Sequence, residues 1–130
     1  MTRLLLDTHL VLWWLGGDQR LPPEAVERVQ APETEVFVSQ VSLWEMAIKC
    51  SLGRLRVELS ELERQVPRQG FQWLPLRNRH LLAVAELETF TDHRDPFDRL
   101  LVCQSRVEPL LLLSVDGQLR RYGATVQVLT

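Results

Sequence analysis

A chain of 130 residues suits one domain with a single core and is too short for two ordinary ones. Its 45% hydrophobic and 25% charged residues argue against a disordered chain and against a membrane protein, and no apolar run approaches the roughly 20 residues that cross a bilayer. A formal charge of −2 rules out a broad attraction to nucleic acid, so a polyanionic substrate has to be held by local groups and metal.

The start, Met1-Thr2-Arg3, leads into only a short apolar stretch interrupted by Asp7 and His9, which does not read as a signal peptide. Cys50 and Cys103 lie far apart, without the close pairs of zinc sites, and read as reduced thiols of a cytoplasmic protein. Of the 15 basic residues all but Lys49 are arginine, the side chain suited to a bidentate grip on phosphate or carboxylate.

Arg3 to Leu6 is an apolar run ending in Asp7-Thr8, the pattern of a buried parallel strand meeting a loop. His9 to Leu15 predicts a helix closed by Gly16-Gly17, and Pro22-Pro23 opens a second that runs to about Gln30 before Pro32. Glu35 to Ser39 suits a second strand. Ser42 then caps a helix from about Leu43 to Ser51, with Glu45 three residues past the cap and Gly53 as the stop.

Leu59 to Gln69 predicts a helix opened by Ser60, and Phe71 to Leu74 a short third strand. Asn78 to Leu87 is helical, with Leu81, Leu82, Val84, Ala85 and Leu87 forming one broad apolar face. A polar loop from Thr89 to Arg94 precedes Asp95-Pro96, a strong helix start, and that helix reaches about Arg106. Leu110 to Val115 is the most apolar run and predicts a fully buried strand ending at Asp116-Gly117. A last helical turn and a strand from Thr125 to Leu129 complete the chain. Strands alternating with helices throughout imply a three-layer α/β/α domain spanning residues 1–130, around a parallel sheet of four to five strands.

Two apolar strands end in an aspartate, Asp7 and Asp116, and open parallel sheets bind ligands at the carboxyl ends of their strands. Glu45 and Asp98 fall in first turns of helices, where the helix dipole favours an anion facing the same edge. Four converging acids repel one another and lose hydration on burial, so they are stable only when protonated or bridged by cations, and hard Mg²⁺ or Mn²⁺ are the natural partners. One or two such ions, about 4 Å apart when paired, activate water for attack on a phosphodiester. Each acid also has a structural alternative: a cap of the first helix for Asp7, a capping box with Ser42 for Glu45, opposition to the dipole for Asp98, and a plain turn for Asp116-Gly117.

The blocks LLLDTHLVLWWL with Asp7 and Thr8, SLWEMAIKCSLGRL with Glu45, HRDPFDRLLVCQSR with Asp98, and LLLLSVDGQLRRYG with Asp116 resemble the PIN-domain family, and more narrowly the VapC-type toxins of toxin-antitoxin pairs. The resemblance covers nearly the whole chain and implies an endoribonuclease. In it Asp7, Glu45 and Asp98 form the core metal site and Asp116 completes the set, holding Mg²⁺ or Mn²⁺, while Thr8 and Ser114 are supporting hydroxyls. Asp95, three residues before Asp98, is either a cap and outer support or a second ligand, and Asp98 is favoured as the ligand. His93, Arg94 and Arg99 flank this loop as solvent-exposed charges, or, for Arg94 and Arg99, as the partner of a phosphate or acid.

The resemblance further implies a homodimer, an RNA substrate and a cognate VapB-like antitoxin whose tail enters the acidic groove, with no sequence-specific DNA binding by this chain alone. Trp13, Trp14 and Trp44 are expected in the core or at a subunit contact. Two rival readings stay open at this point: a non-catalytic scaffold that binds RNA or protein through the same fold, and an aspartyl-phosphate phosphotransferase using Asp7.

Overall fold

The computed structural model describes residues 1–130. Five strands alternate with helices: β1 (Thr2–Leu6), α1 (Thr8–Gly16), α2 (Pro23–Gln30), β2 (Thr34–Ser39), α3 (Gln40–Ser51), α4 (Leu59–Arg68), β3 (Gln72–Leu74), α5 (Asn78–Val84), α6 (Pro96–Val107), β4 (Leu111–Ser114), a 3₁₀ helix (Gly117–Tyr122) and β5 (Val126–Val128). All neighbours are parallel, in the order β3-β2-β1-β4-β5. No helix is long and apolar enough to cross a membrane.

The period-two geometry of strands divides the core between the two faces of this sheet. Leu4 and Leu6 of β1 join Val36, Val38 and Leu113 in a cluster completed by Leu10, Val11, Ala25, Met46, Leu62 and Val66 from α1 to α4. Leu5, Phe37 and Leu112 point the other way, onto Leu100 to Cys103 of α6 and onto Leu119 and Tyr122. The three-layer α/β/α arrangement follows directly, with helices on both faces of a five-stranded parallel sheet. Gly17 ends α1 at φ 62° and gives its N–H to the carbonyls of Trp13 and Trp14, a left-handed turn that suits a residue without Cβ.

Strand order reverses beside β1. The chain moves from β1 to β2 on one side and returns to β4 on the other, with Leu6 of β1 opposite Leu113 of β4. Crossovers that leave in opposite directions cannot cover the carboxyl ends of the two strands between them, so a crevice opens there. Asp7 extends β1 into that crevice, its N–H bonded to the Leu113 carbonyl (3.0 Å).

Three local expectations are corrected. The cap of α3 is Ser39, whose Oγ accepts from the Val41 N–H (2.9 Å), because β2 runs into the helix without a loop; Ser42 lies inside the first turn and Glu45 in the second. Likewise α4 is preceded by Glu58, with no side-chain cap and Ser60 inside the helix.

The third correction concerns α5, which stops at Val84 and leaves Leu81 and Leu82 exposed (48% and 73%). Its buried anchor is His80, whose Nδ1 accepts from the Arg77 N–H (3.0 Å), which places the proton on Nε2 facing the Glu108 carboxylate at 2.5 Å. That polar anchor, continued through Gln104 to Ser39 (2.5 Å), fixes how α5 and α6 sit on the sheet and turns the two leucines outward. Replacing Leu5 with alanine is expected to cost about 2–5 kcal/mol, while Leu82→Ala stays within about 0.5 kcal/mol, both read by urea denaturation. A large loss from Leu82→Ala would contradict this orientation of α5.

Candidate active site

The crevice holds a cavity of about 340 Å³ lined by Asp7, Thr8, His9, Trp13, Glu45, Lys49, Asp95, Asp98, Val115 and Asp116. Five carboxylates from four separated stretches of sequence therefore share one small space. The four acids expected from the sequence are all among them, and Asp95 is the fifth.

Each acid is held by its local structure. Asp7 caps α1, its Oδ1 accepting from the Leu10 N–H (3.1 Å), while its Oδ2 accepts from the Ser114 hydroxyl, so neither oxygen is free to rotate. Ser114 Oγ also accepts from the Asp116 N–H (3.0 Å), which ties the turn after β4 to the end of β1. Asp116 in turn caps the 3₁₀ helix through Gln118 (2.9 Å).

Glu45 is buried on α3, with Oε1 accepting from Thr8 Oγ1 (2.7 Å), itself 2.9 Å from Ser42 Oγ. Oε2 faces the Lys49 ammonium one turn along the helix at 2.6 Å. At the start of α6, Asp95 caps the helix through the N–H groups of Phe97 and Asp98 (2.9 and 3.0 Å) and presents Asp98 towards the cavity.

Two residues beyond the expected set complete the surroundings of Asp98. His93 is buried rather than solvent-exposed, with Nε2 3.4 Å from Asp98 Oδ2 and Nδ1 2.8 Å from the Tyr122 hydroxyl. One donor atom each from His93, Asp98 and Asp116 lies within 4.8 Å of the others. Tyr122 carried no signal in the sequence beyond being the one tyrosine, because its role depends on the 3₁₀ helix folding back under the 88–94 segment.

Arg99 points away from the acids, giving Nη1 to the Glu88 carbonyl (2.8 Å) and lying 3.4 Å from the Tyr122 hydroxyl. It lines a neighbouring cavity with Arg94 and Phe90. Arg106 and Arg121 secure the same segment through Glu88 (2.8 Å) and Asp92 (2.5 Å). Of the four tryptophans, the three expected in the core or at a subunit contact are not fully buried: Trp13 lines the acidic cavity, Trp14 packs on Phe71, and Trp44 is half exposed against the edge of Phe97.

The electrostatics follow from crowding. Asp98 is pushed up to about 7, first by loss of hydration and then by the charges of Asp95, Asp7, Glu45 and Asp116. Burial raises Asp7 as well, against the opposing hydrogen bonds from Ser114 and Leu10. The closest donor group, His93, Asp98 and Asp116, offers one imidazole nitrogen and two carboxylates, while Asp7 and Glu45 line the same cavity outside it; this oxygen-rich lining fits hard divalent ions such as Mg²⁺ and Mn²⁺ and does not fit a thiolate-seeking metal.

A family model described as PIN domain matches residues 4–124. The chain belongs to the PIN domain family. Ribonuclease VapC22 of Mycobacterium tuberculosis is 26% identical to it, over 94% of this chain and 93% of that protein. Among solved structures, VapBC2 from Rickettsia felis bound to a DNA fragment from its promoter superposes with a TM-score of 0.68 at 12% identity, covering 98% of this chain and 97% of that one. A domain of a functionally unknown protein from Methanocaldococcus jannaschii gives 0.59 at 14% identity, covering 100% and 92%. At such identities the structural likeness shows the fold.

In this PIN domain the raised Asp98 has a thermodynamic signature without metal. Between its ordinary value of 3.8 and about 7 the folded protein keeps a proton that the unfolded chain has released, so this group lowers stability as pH rises through that window. In EDTA at pH 8, Asp98→Asn is expected to melt about 4 °C above wild type, the change that roughly 1 kcal/mol makes in a domain of this size, with the gap shrinking as pH falls below about 7 and closing only near pH 4. A gap that does not change with pH would contradict the crowding of charge around Asp98.

Proposed function

We propose that this PIN domain is a metal-dependent endoribonuclease that serves as the toxin of a VapBC-type toxin-antitoxin pair. The observation that carries the reading is the convergence of five carboxylates on one cavity at the switch point of the sheet. RNA is favoured as substrate by the name of the relative that aligns over 94% of the chain, Ribonuclease VapC22. A VapB-like antitoxin is favoured by the fold neighbour described as VapBC2, and we extend the same reading to a homodimer in a cytoplasm that keeps Cys50 and Cys103 reduced.

In this reading Asp7, Glu45 and Asp98 hold Mg²⁺ or Mn²⁺, and Asp116 holds a second ion or positions water. When bound, the ion lowers the pKa of water for attack on the phosphodiester and offsets charge on the leaving 3′ oxygen. The chain's own residues do the positioning. Ser114 and the Leu10 N–H fix both oxygens of Asp7, Thr8 fixes Glu45, and Asp95 and His93 bracket Asp98. Two pinned oxygens on Asp7 suit a fixed ligand better than the nucleophile of a phosphotransferase, which has to bond phosphorus and then release it.

Purified protein is expected to cleave a mixed RNA pool with Mg²⁺ or Mn²⁺, to stop in EDTA and to recover when the ion is restored. Asp7→Asn is expected to lower the rate by at least about a hundredfold with the fold intact by circular dichroism. Cleavage that survives both EDTA and Asp7→Asn would overturn the reading. Protein that binds the ions and cuts no RNA would support the scaffold alternative instead.

A further inference from the structure

Lys49 is the only lysine in the chain, and it lines the acidic cavity among five carboxylates. Its ammonium sits on Glu45 Oε2 at 2.6 Å, while the other oxygen, Oε1, is taken by Thr8. Both oxygens of Glu45 are thus engaged in the protein on its own. A divalent ion that takes Glu45 can leave the neutral Thr8 hydroxyl in place on Oε1, as a carboxylate oxygen accepts more than one partner, but it repels the like charge of the ammonium on Oε2. Thr8 is buried and backed by Ser42, whereas the Lys49 side chain is 42% exposed on four flexible methylenes.

An i,i+4 ion pair whose lysine is partly exposed is a weak restraint against a divalent ion among five acids. Displaced from Glu45, the ammonium remains tethered at the edge of the cavity, one turn of α3 from Glu45, without the ion pair it held. The anion that arrives next is the phosphodiester.

We propose that Lys49 is a phosphate-binding residue held in reserve: it neutralises Glu45 until metal enters, then transfers its charge to the backbone of the bound RNA. Metal and RNA are thereby loaded in order, since the cation that grips RNA is released by the ion that cuts it. This rests on the metal-dependent ribonuclease reading above. It separates Lys49 from an ordinary surface pair by requiring opposite effects on the two ligands. Removing the ammonium strengthens metal binding, because a competitor is gone, and weakens RNA binding, because a phosphate contact is gone. A lysine that only braced α3 would weaken both together.

The test is Lys49→Met in the full chain, with Lys49→Gln as a second variant in case the first folds poorly. Calorimetric titration of metal-free protein with Mn²⁺ is expected to show a Kd about threefold tighter than wild type. Cleavage of a short single-stranded RNA under saturating Mn²⁺ is expected to show KM raised about tenfold, with a smaller change in kcat. The slope of log KM against log salt should fall by about 0.7, the share of one phosphate contact on a single strand. Lys49→Arg, which keeps the charge, should return KM to within about threefold of wild type. Unchanged or weaker Mn²⁺ binding in both Lys49→Met and Lys49→Gln, or an unchanged salt slope, would overturn the proposal. Wild type that binds no Mn²⁺ would overturn the ribonuclease reading itself, a result distinguishable from the first because it precedes any Lys49 variant.

Discussion

Negative charge crowded into a poorly hydrated crevice is the constraint around which this molecule is arranged. Carboxylates that share a cavity lose water and repel one another, and Asp98, the most affected by its neighbours, holds its proton to about neutrality. The fold tolerates this because the sheet and its two apolar faces are built independently of the acids, from residues such as Leu5, Leu6, Val38 and Leu113 that contribute nothing to the cavity chemistry. Stability is held by the core, and the crevice spends part of it in a form that a cation can restore.

What separates this crevice from an accidental gathering of acids is the way each oxygen is fixed. Backbone N–H groups at three helix starts and the hydroxyls of Thr8 and Ser114 orient Asp7, Glu45, Asp95 and Asp116 before any ligand arrives. Asp98 is treated differently: it is approached by the His93 ring, which stands on Tyr122, which is in turn wedged by Arg99 and Phe90. The segment between α5 and α6 is therefore a support for Asp98 rather than a solvent loop. The arginines around it serve as braces to Glu88, Asp92 and the Tyr122 carbonyl.

The parts of this design legible in the sequence were those with local causes. Apolar runs ending in Asp7 and Asp116 marked strands and the ends that open on the crevice, Asp95-Pro96 marked the start of α6, and alternation of strands with helices implied the layers. Other features depended on distant partners. The capping pattern Ser42 to Glu45 was a true local signal with the wrong outcome, since Ser39 reaches the Val41 N–H first when a strand passes straight into a helix. Leu81 and Leu82 looked like the inner face of α5, yet the buried His80–Glu108 pair, 28 residues apart, decides which side of that helix faces in. His93 left its expected solvent-exposed place for the same reason, because Tyr122 selects the histidine for the interior.

The proposed function requires that a divalent ion relieve the shared charge of this cavity, a claim on which the titration of one carboxyl reports directly. Following the side-chain carboxyl carbon of Asp98 by NMR from pH 4 to pH 9, with Asp98→Asn to assign it, is predicted to give a midpoint near 7 in EDTA and one lower by at least about two units in saturating Mg²⁺. A midpoint that is ordinary without metal, or that does not move when Mg²⁺ is added, would contradict the claim.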